Sequence, residues 1–368
     1  NTEGVIMSLP HFIFSGSCYE QGLSHGEALI DSIKKNIDVY VNRFESEAGI
    51  GKNDLLANTR LYLEKLKKQS PEYVNGMNGI AESANMDIIE IAMLNLRYEL
   101  LYHALGKRYQ ENVVDGCTSF AISPEAMDNN HLTMGQNWDW IPDVDCVLVT
   151  SFDTDGLSRI SYTEAGIFAG KPGMNSAGVG LAVNGMYTTS DNWARFERPF
   201  HLRCYDILRS RKMDTALESL ASTPRSCTVN FIVGHSPNQV VNIELAPDKL
   251  RLIDPYCGIL VHANHFVSPA ILGISEPPNP RRYLSEFRHN RMDKLLKEMK
   301  LIDIMGIQMI LKDHENHPQS LCRHRDKTLP ESQQTITKTS MIMDLEERQI
   351  WVTNGNPCKT EFENFELI

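Results

Sequence analysis

Apolar residues recur every three or four positions through roughly the first hundred residues, then give way to alternation. Ile30, Ile33, Ile37, Val41 and Phe44 share one helical face, on a helix expected to start near Tyr19 and to end at Ala48-Gly49-Ile50-Gly51. Leu55, Thr59, Tyr62 and Leu66 line a second helix, with Asn53 as its expected cap. Ser70-Pro71-Glu72 opens a third, a cap followed by proline at the first helical position. Asn85-Met86-Asp87 breaks it, and Asp87 caps a last helix rich in Ile, Leu and Tyr. A short strand, His11 to Phe14, precedes them all.

The pattern changes at Asn112. From Cys117 to Ser123 the chain alternates, with Phe120 and Ile122 on one face and Ser119 and Ala121 on the other. Asp128-Asn129-Asn130 is a turn, so His131 to Asp139 returns as the second strand of a hairpin. Val147 to Phe152 and Arg159 to Thr163 form another strand pair around Thr154-Asp155-Gly156. Gly178 to Gly185 reads as a strand whose glycines allow close approach of another group. Pro199 to Leu220 is expected as one helix. Strands follow at Val229 to Val233, Val240 to Leu245, Lys249 to Ile253 and Gly258 to His265. Arg282 to Met299 and Leu301 to Leu311 are helical, and Ser340 to Asp344 with Gln349 to Thr353 make a closing hairpin. Strands and helices in separate runs predict a layered α+β domain, not a doubly wound parallel sheet.

Composition narrows the function classes. The chain of 368 residues is 42% hydrophobic and carries a net charge of -11, so neither nucleic acid nor an anionic membrane is an expected partner. No apolar run of about 18 residues is present, as a transmembrane helix would need. No signal peptide and no Asn-x-Ser/Thr site is visible, so a cytoplasmic protein is the expectation. Eight cysteines are scattered without a Cys-x-x-Cys pair, which fits free thiols in a reducing compartment.

Asp115-Gly116-Cys117-Thr118-Ser119 stands at the junction of the two halves. A thiol attacks carbonyls as thiolate, and at an ordinary pKa of about 8.5 it needs a base. If the chain is cut between Gly116 and Cys117, the new α-amino group, with a pKa of about 7.7–8.0, supplies that base within reach of its own sulfur. On spacing alone, Cys117 reads equally as a buried residue at the start of a strand. In Gly135-Gln136-Asn137-Trp138-Asp139-Trp140 the hairpin brings Asp139 back to the edge where Cys117 lies. Asp139 is then a candidate partner for the cysteine ammonium or a substrate amine, Asn137 a hydrogen-bond donor, and a solvated strand end the alternative. In His262-Ala263-Asn264-His265-Phe266 the Asn264 amide suits an oxyanion. His262 or His265 is also a candidate partner for Cys117 in a papain-like dyad. The two histidines lack a third ligand, so no metal is expected. Arg288 and Arg291 share a helix face, as carboxylate ligands or as a solvated pair. His314-Glu315-Asn316-His317 reads as a polar loop.

Taken together, Asp115 to Ser119, Gln136 to Asp139, Asn264-His265-Phe266, and the opening Gly16-Ser17-Cys18-Tyr19-Glu20-Gln21-Gly22 with Gly26 resemble the acyl-coenzyme A:6-aminopenicillanate (isopenicillin N) acyltransferases. These are C45-like peptidases of the N-terminal-nucleophile (Ntn) hydrolase class. The resemblance implies a four-layer αββα sandwich. It also implies a precursor cut into a smaller chain, residues 1–116, and a larger one, residues 117–368, within one structural domain. Cys117 would be the nucleophile, Asp139 would lie in the site, and Asn264 would form the oxyanion hole. Thr118, Asn137, Trp138, His265 and Arg291 are further candidates for contacting substrate. The implied partners are a small-molecule amide or acyl-thioester substrate and the two chains of the one precursor. No cofactor is implied, and homo-oligomerisation is left open. One departure stands out. The penicillin-forming enzymes carry a Ser-Arg pair late in the chain, whereas Gln334 to Ser340 holds no arginine. The family also includes hydrolases resembling the insect enzymes that release amines from β-alanyl conjugates. Amide chemistry is therefore implied more firmly than any one substrate.

Overall fold

The structure, a computed structural model, describes residues 8–107, 116–221 and 224–367. Strand β1 (His11–Gly16) leads into helices α1 (Cys18–Ala28), α2 (Ile30–Arg43), α3 (Lys52–Gln69), α4 (Pro71–Ala84) and α5 (Ile88–Lys107). Ser17 and Glu20 form a reciprocal capping box at the start of α1. Ser70 caps α4 ahead of Pro71, and the Asp87 carboxylate accepts the Ile89 N–H at the start of α5. Glycines let α1 and α4 pack backbone to backbone. A Cβ on Gly22 would stand 2.1 Å from the Gly76 carbonyl oxygen. The expected single helix from Tyr19 to Ala48 is instead two helices and a π turn. It breaks at Leu29 (φ -124, ψ 21) and ends at left-handed Gly49. The apolar period runs through Leu29 unchanged, which is why the break is not legible.

After Gly116 the strands β2 (Thr118–Ile122) and β3 (Thr133–Trp140) form the expected hairpin. Next come β4 (Cys146–Asp153), β5 (Ser158–Glu164), the short β6 (Gly173–Asn175) and β7 (Val179–Gly185). The expected helix from Pro199 to Leu220 is two, α6 (Phe200–Arg209) and α7 (Met213–Ala221). Strands β8 (Val229–His235), β9 (Gln239–Ala246), β10 (Lys249–Ile253) and β11 (Ile259–His262) follow. The chain closes with α8 (Pro269–Leu272), α9 (Arg282–Glu298), α10 (Ile304–Leu311), β12 (Ile336–Asp344), β13 (Gln349–Val352) and β14 (Glu363–Glu366).

Among the described residues, eight strands form one sheet in the order β1-β4-β5-β6-β7-β8-β9-β10, and six form another, β11-β2-β3-β12-β13-β14. Within these sheets β1 pairs with β4 in parallel and the other neighbours pair antiparallel. The sheets face each other: the Val183 N–H on β7 donates to the Gln136 side chain on β3 at 2.7 Å. Gly180 and Gly234 leave room for Met134 and Leu345 from the opposite sheet. Helices α6 and α7 pack on β6 to β8, while α9 and α10 pack on β11 and β12. The architecture is the αββα sandwich that the resemblance implies.

Alternation in β2 therefore separates two cores, not a core from solvent. Cys117, Ala121, Met134 and Trp138 belong to the larger one between the sheets. Phe120, Ile122 and Ile342 belong to a second one with Met292, Leu296 and Leu311 of the helices. No helix among the described residues is long and apolar enough to cross a membrane.

Candidate active site

Register fixes the centre of the site. Thr118 lies opposite Asn137, so Cys117 faces Trp138 and Gly116 faces Asp139 across the ladder. The N–H of Gly116 donates to Asn264 Oδ1 at 3.2 Å. A Cβ at Gly116 would sit 3.3 Å from the Asp139 carbonyl oxygen and 3.7 Å from Asn264 Nδ2. Asn264 follows β11, the neighbour of β2, and its Nδ2 donates to the Gly185 carbonyl at 3.0 Å. The expected trio Cys117, Asp139 and Asn264 does converge. Asp115 lies outside the described residues.

Arg288 of α9 binds this cluster together. Its guanidinium is fully buried. It donates to the Cys117 carbonyl and the Thr118 hydroxyl, both at 2.8 Å, and to Asn264 Oδ1 at 3.0 Å. The pair Arg288/Arg291 was visible as one face, but only Arg288 enters the site. Arg291, expected to contact substrate, instead forms a two-pronged pair with Asp313 at 3.1 and 2.6 Å and reaches Glu315 at 2.7 Å. Asn137 also points elsewhere. On the helix-facing side of the sheet, its amide donates to the Leu311 and Leu321 carbonyls at 3.0 and 2.8 Å and ties down the segment after α10.

Asp139 accepts from the Thr337 hydroxyl at 2.7 Å, and its Oδ2 lies 3.3 Å from Arg323 Nε, with both side chains buried. Sequence reasoning missed Arg323, because nothing local to Leu321-Cys322-Arg323 ties it to residue 139. Late in the chain Lys338 Nζ turns to the Pro142 carbonyl. The cation near Asp139 thus comes from the loop before β12.

Cys117 is buried, and its thiol is pushed up to about 12, first by burial and then by the charge of Asp139. An Asp139 backbone hydrogen bond and the cations Arg288 and Arg323 offset only part of this. In the intact chain the sulfur is a protonated thiol.

The cavity in front of it is only about 30 Å³, and Gly116 itself is part of the wall. Trp138, Trp140, Tyr98, Tyr102 and Phe200 form most of the rest, with Arg97 and Lys171. Glu164 pairs with Arg97 through both guanidinium arms and with Lys171 at 3.1 Å. Those two cations hold its carboxyl down at about 2 despite full burial. Arg97, Lys171 and Asp139 are the charged groups of the wall, and Glu164 backs the two cations. Burial, followed by Lys171, keeps His201 neutral. Its Nε2 therefore accepts from Lys171 at 2.7 Å, and its Nδ1–H donates to the Asn95 carbonyl at 2.8 Å.

No histidine lines this cavity among the described residues. His262 spends both ring nitrogens, on the Ala263 carbonyl at 2.8 Å and on Glu244 at 3.0 Å. His265 bonds Ser285 at 2.7 Å and lines a neighbouring cavity of about 420 Å³ that shares Asn264 with the first. The papain-like dyad is not assembled.

The sequence profile of the family described as acyl-coenzyme A:6-aminopenicillanic acid acyl-transferase matches residues 126–359. The chain belongs to that family. The match begins after Cys117 and takes in Asp139 and Asn264. The 40 kDa form of acyl-coenzyme A:6-aminopenicillanic-acid-acyltransferase from Emericella nidulans is 28% identical over 320 residues, 85% of this chain and 84% of that one. Among solved structures, the N-acylethanolamine-hydrolyzing acid amidase ortholog of Caenorhabditis elegans is similar with a TM-score of 0.47 and 14% identity, over 62% of this chain and 93% of that one. Penicillin V acylase from Agrobacterium tumefaciens gives 0.42 and 11%, over 65% and 83%. The family match points to acyltransferase chemistry for the chain.

Proposed function

We propose that the chain cuts itself between Gly116 and Cys117, and that the freed Cys117 then takes the acyl group of a small-molecule amide or thioester. One observation carries this reading: Cys117 faces a cavity with Asn264 and Arg288 beside it but no histidine in the wall. Asp139, the carboxylate at hand, is engaged by Thr337 and Arg323. The base for the thiol is then the α-amino group that the cut creates.

In the cut itself, Cys117 Sγ attacks the Gly116 carbonyl carbon, the peptide N–C bond breaks, and the nitrogen takes a proton to become the Cys117 amine. Water hydrolyses the resulting thioester, freeing the Gly116 carboxylate and the thiol. Asn264 and Arg288 hold the strand start in place. In turnover, the amine accepts the thiol proton as sulfur attacks the substrate carbonyl and returns it to the leaving amine or thiol. Asn264 Nδ2 stabilises the oxyanion. Water or an amine then takes the acyl group.

The 30 Å³ space has room for about one water, so substrate needs the room that Gly116 vacates. Through Asn264 that room adjoins the larger cavity lined by His265 and Arg282. Trp138 lies in the cavity wall, whereas the Thr118 hydroxyl, expected to contact substrate, anchors Arg288. The absence of arginine from Gln334 to Ser340 favours a second reading. In it, the enzyme hydrolyses β-alanyl or other N-acyl amine conjugates without transfer.

The test is to mix processed protein with N-acyl amines, β-alanyl amides and acyl thioesters, with and without an acceptor amine, and to weigh the larger chain. An acyl adduct on Cys117 that turns over supports the proposal. Processed protein that forms no adduct and releases no product from any class overturns it. Product without any acceptor dependence selects the hydrolase reading.

A further inference from the structure

Four side chains far apart in sequence meet beside the segment that carries Arg323. His314 lies after α10, Cys322 and His324 flank Arg323, and Cys358 follows β13. His314 Nε2 and His324 Nε2 are 3.1 Å apart, and the sulfurs of Cys322 and Cys358 are 3.5 Å apart. His324 Nε2 lies 3.5 Å from the Cys322 sulfur and 3.3 Å from that of Cys358. All four ligand atoms fall within 4.8 Å of one another. Both cysteines are free.

The four shortest of these separations are close to those of a tetrahedron around one metal ion, and the two from His314 to the sulfurs lie within 4.8 Å. With Zn–S of about 2.3 Å and Zn–N of about 2.0–2.1 Å, two sulfurs stand about 3.7 Å apart, nitrogen and sulfur about 3.5 Å, and two nitrogens about 3.4 Å. Two thiolates and two imidazoles suit zinc, while calcium, magnesium and manganese seek oxygen. The thiolates also balance the charge of a dication.

The surroundings act as an outer shell. The Asn356 amide reaches the Cys322 sulfur at 3.7 Å and donates to the Arg323 carbonyl at 2.6 Å. Ser320 Oγ donates to the Cys322 carbonyl at 2.6 Å, and the Cys322 N–H donates to the Asp313 carbonyl at 3.0 Å. Such contacts orient ligands before the metal arrives. No Cys-x-x-Cys pair marks this site in the sequence, and His-x7-Cys-x-His with a cysteine 34 residues on becomes one cluster only after folding.

We propose that His314, Cys322, His324 and Cys358 bind one zinc ion that ties the loop after α10 to the segment after β13. Binding releases the two thiol protons as the Zn–S bonds form. Arg323 sits between two ligands, so the metal fixes the backbone from which its guanidinium reaches Asp139. The zinc is structural and lies outside the nucleophile's cavity.

The experiment is metal analysis of full-length protein made in zinc-containing medium and purified without chelator, beside Cys322→Ser, Cys358→Ser and the control Cys257→Ser. The expected result is about one zinc per chain in wild type and control, with loss to background in the two ligand variants. Cobalt exchanged into wild type gives tetrahedral ligand-field bands and a thiolate charge-transfer band. His314→Ala, at an exposed position, keeps the test open if a cysteine variant fails to fold, and it too loses zinc. Folded wild type without bound zinc or a cobalt spectrum overturns the proposal. So does zinc retained by all the ligand variants, or a Cys322–Cys358 disulfide in metal-free wild type.

Discussion

Arg323 Nε lies 3.3 Å from Asp139 Oδ2, with both side chains buried. The pair joins the loop before β12 to the strand end that faces Gly116. Removing one partner of a buried pair strands the other charge, at a cost of about 3–5 kcal/mol. Arg323→Ala is therefore expected to lower unfolding free energy by about that much, read by denaturant titration of a Cys117→Ala background, and to slow processing in the otherwise wild-type chain. A change in neither contradicts the assigned role.

Arg288 and Arg291 are one turn apart and differ in consequence. Arg288→Met leaves the buried Thr118 hydroxyl without the Arg288 donor, at a cost of about 1–3 kcal/mol. It also removes one donor each from the Cys117 carbonyl, which keeps the Asn184 amide, and from Asn264 Oδ1, which keeps the Gly116 N–H. Arg291→Ala breaks a pair at the protein surface, expected to cost about 0–1 kcal/mol. Denaturant midpoints and processing rates of the two variants should separate clearly. Equal effects would contradict the placement of Arg288.

The charge state of Cys117 should change when the chain is cut. In the uncut chain the thiol is raised to about 12, so it stays protonated through neutral pH, and its reactivity climbs only as pH rises toward that value. After the cut, the amine with a pKa of about 7.7–8.0 lies beside it. Partly processed protein treated with iodoacetamide near neutral pH, then peptide-mapped, should show Cys117 labelled in the cut population and spared in the uncut one. Equal labelling contradicts this.

Asn264→Ala should act mainly on kcat. Loss of one oxyanion donor costs about 10²–10³ in kcat, with KM little changed. Because Asn264 also receives the Gly116 N–H, slower processing should accompany it, so kinetics are measured on the processed fraction, separated by mass.

Glu164 should give an acid-side stability signature. Its carboxyl is held at about 2 in the folded chain against an ordinary 4.5. The lowered value means its contribution is present above 4.5 and is lost as pH falls toward about 2. The difference in Tm between wild type and Glu164→Gln should therefore shrink on acidification from neutrality. A constant difference contradicts the pairing with Arg97 and Lys171.

How legible all this was in the sequence depends on the range of the interaction. The hairpin of β2 and β3 follows from alternation and the Asp128-Asn129-Asn130 turn, and it brings Asp139 to Gly116 by register alone. The caps at Ser70 and Asp87 are equally local. The breaks at Leu29 and after Arg209 leave the apolar period intact and are invisible to it. Asn137 was misplaced because both faces of β3 are buried, so polarity did not mark the face that meets Cys117. Arg323 and the His314–Cys358 cluster depend on chain crossings that no local pattern encodes.

Intact-mass spectrometry of wild type beside Cys117→Ala tests the central claim most directly. The expected result is two wild-type fragments meeting between Gly116 and Cys117, with the variant uncut. A single wild-type chain, still uncut and inert after long incubation at neutral pH, would contradict it.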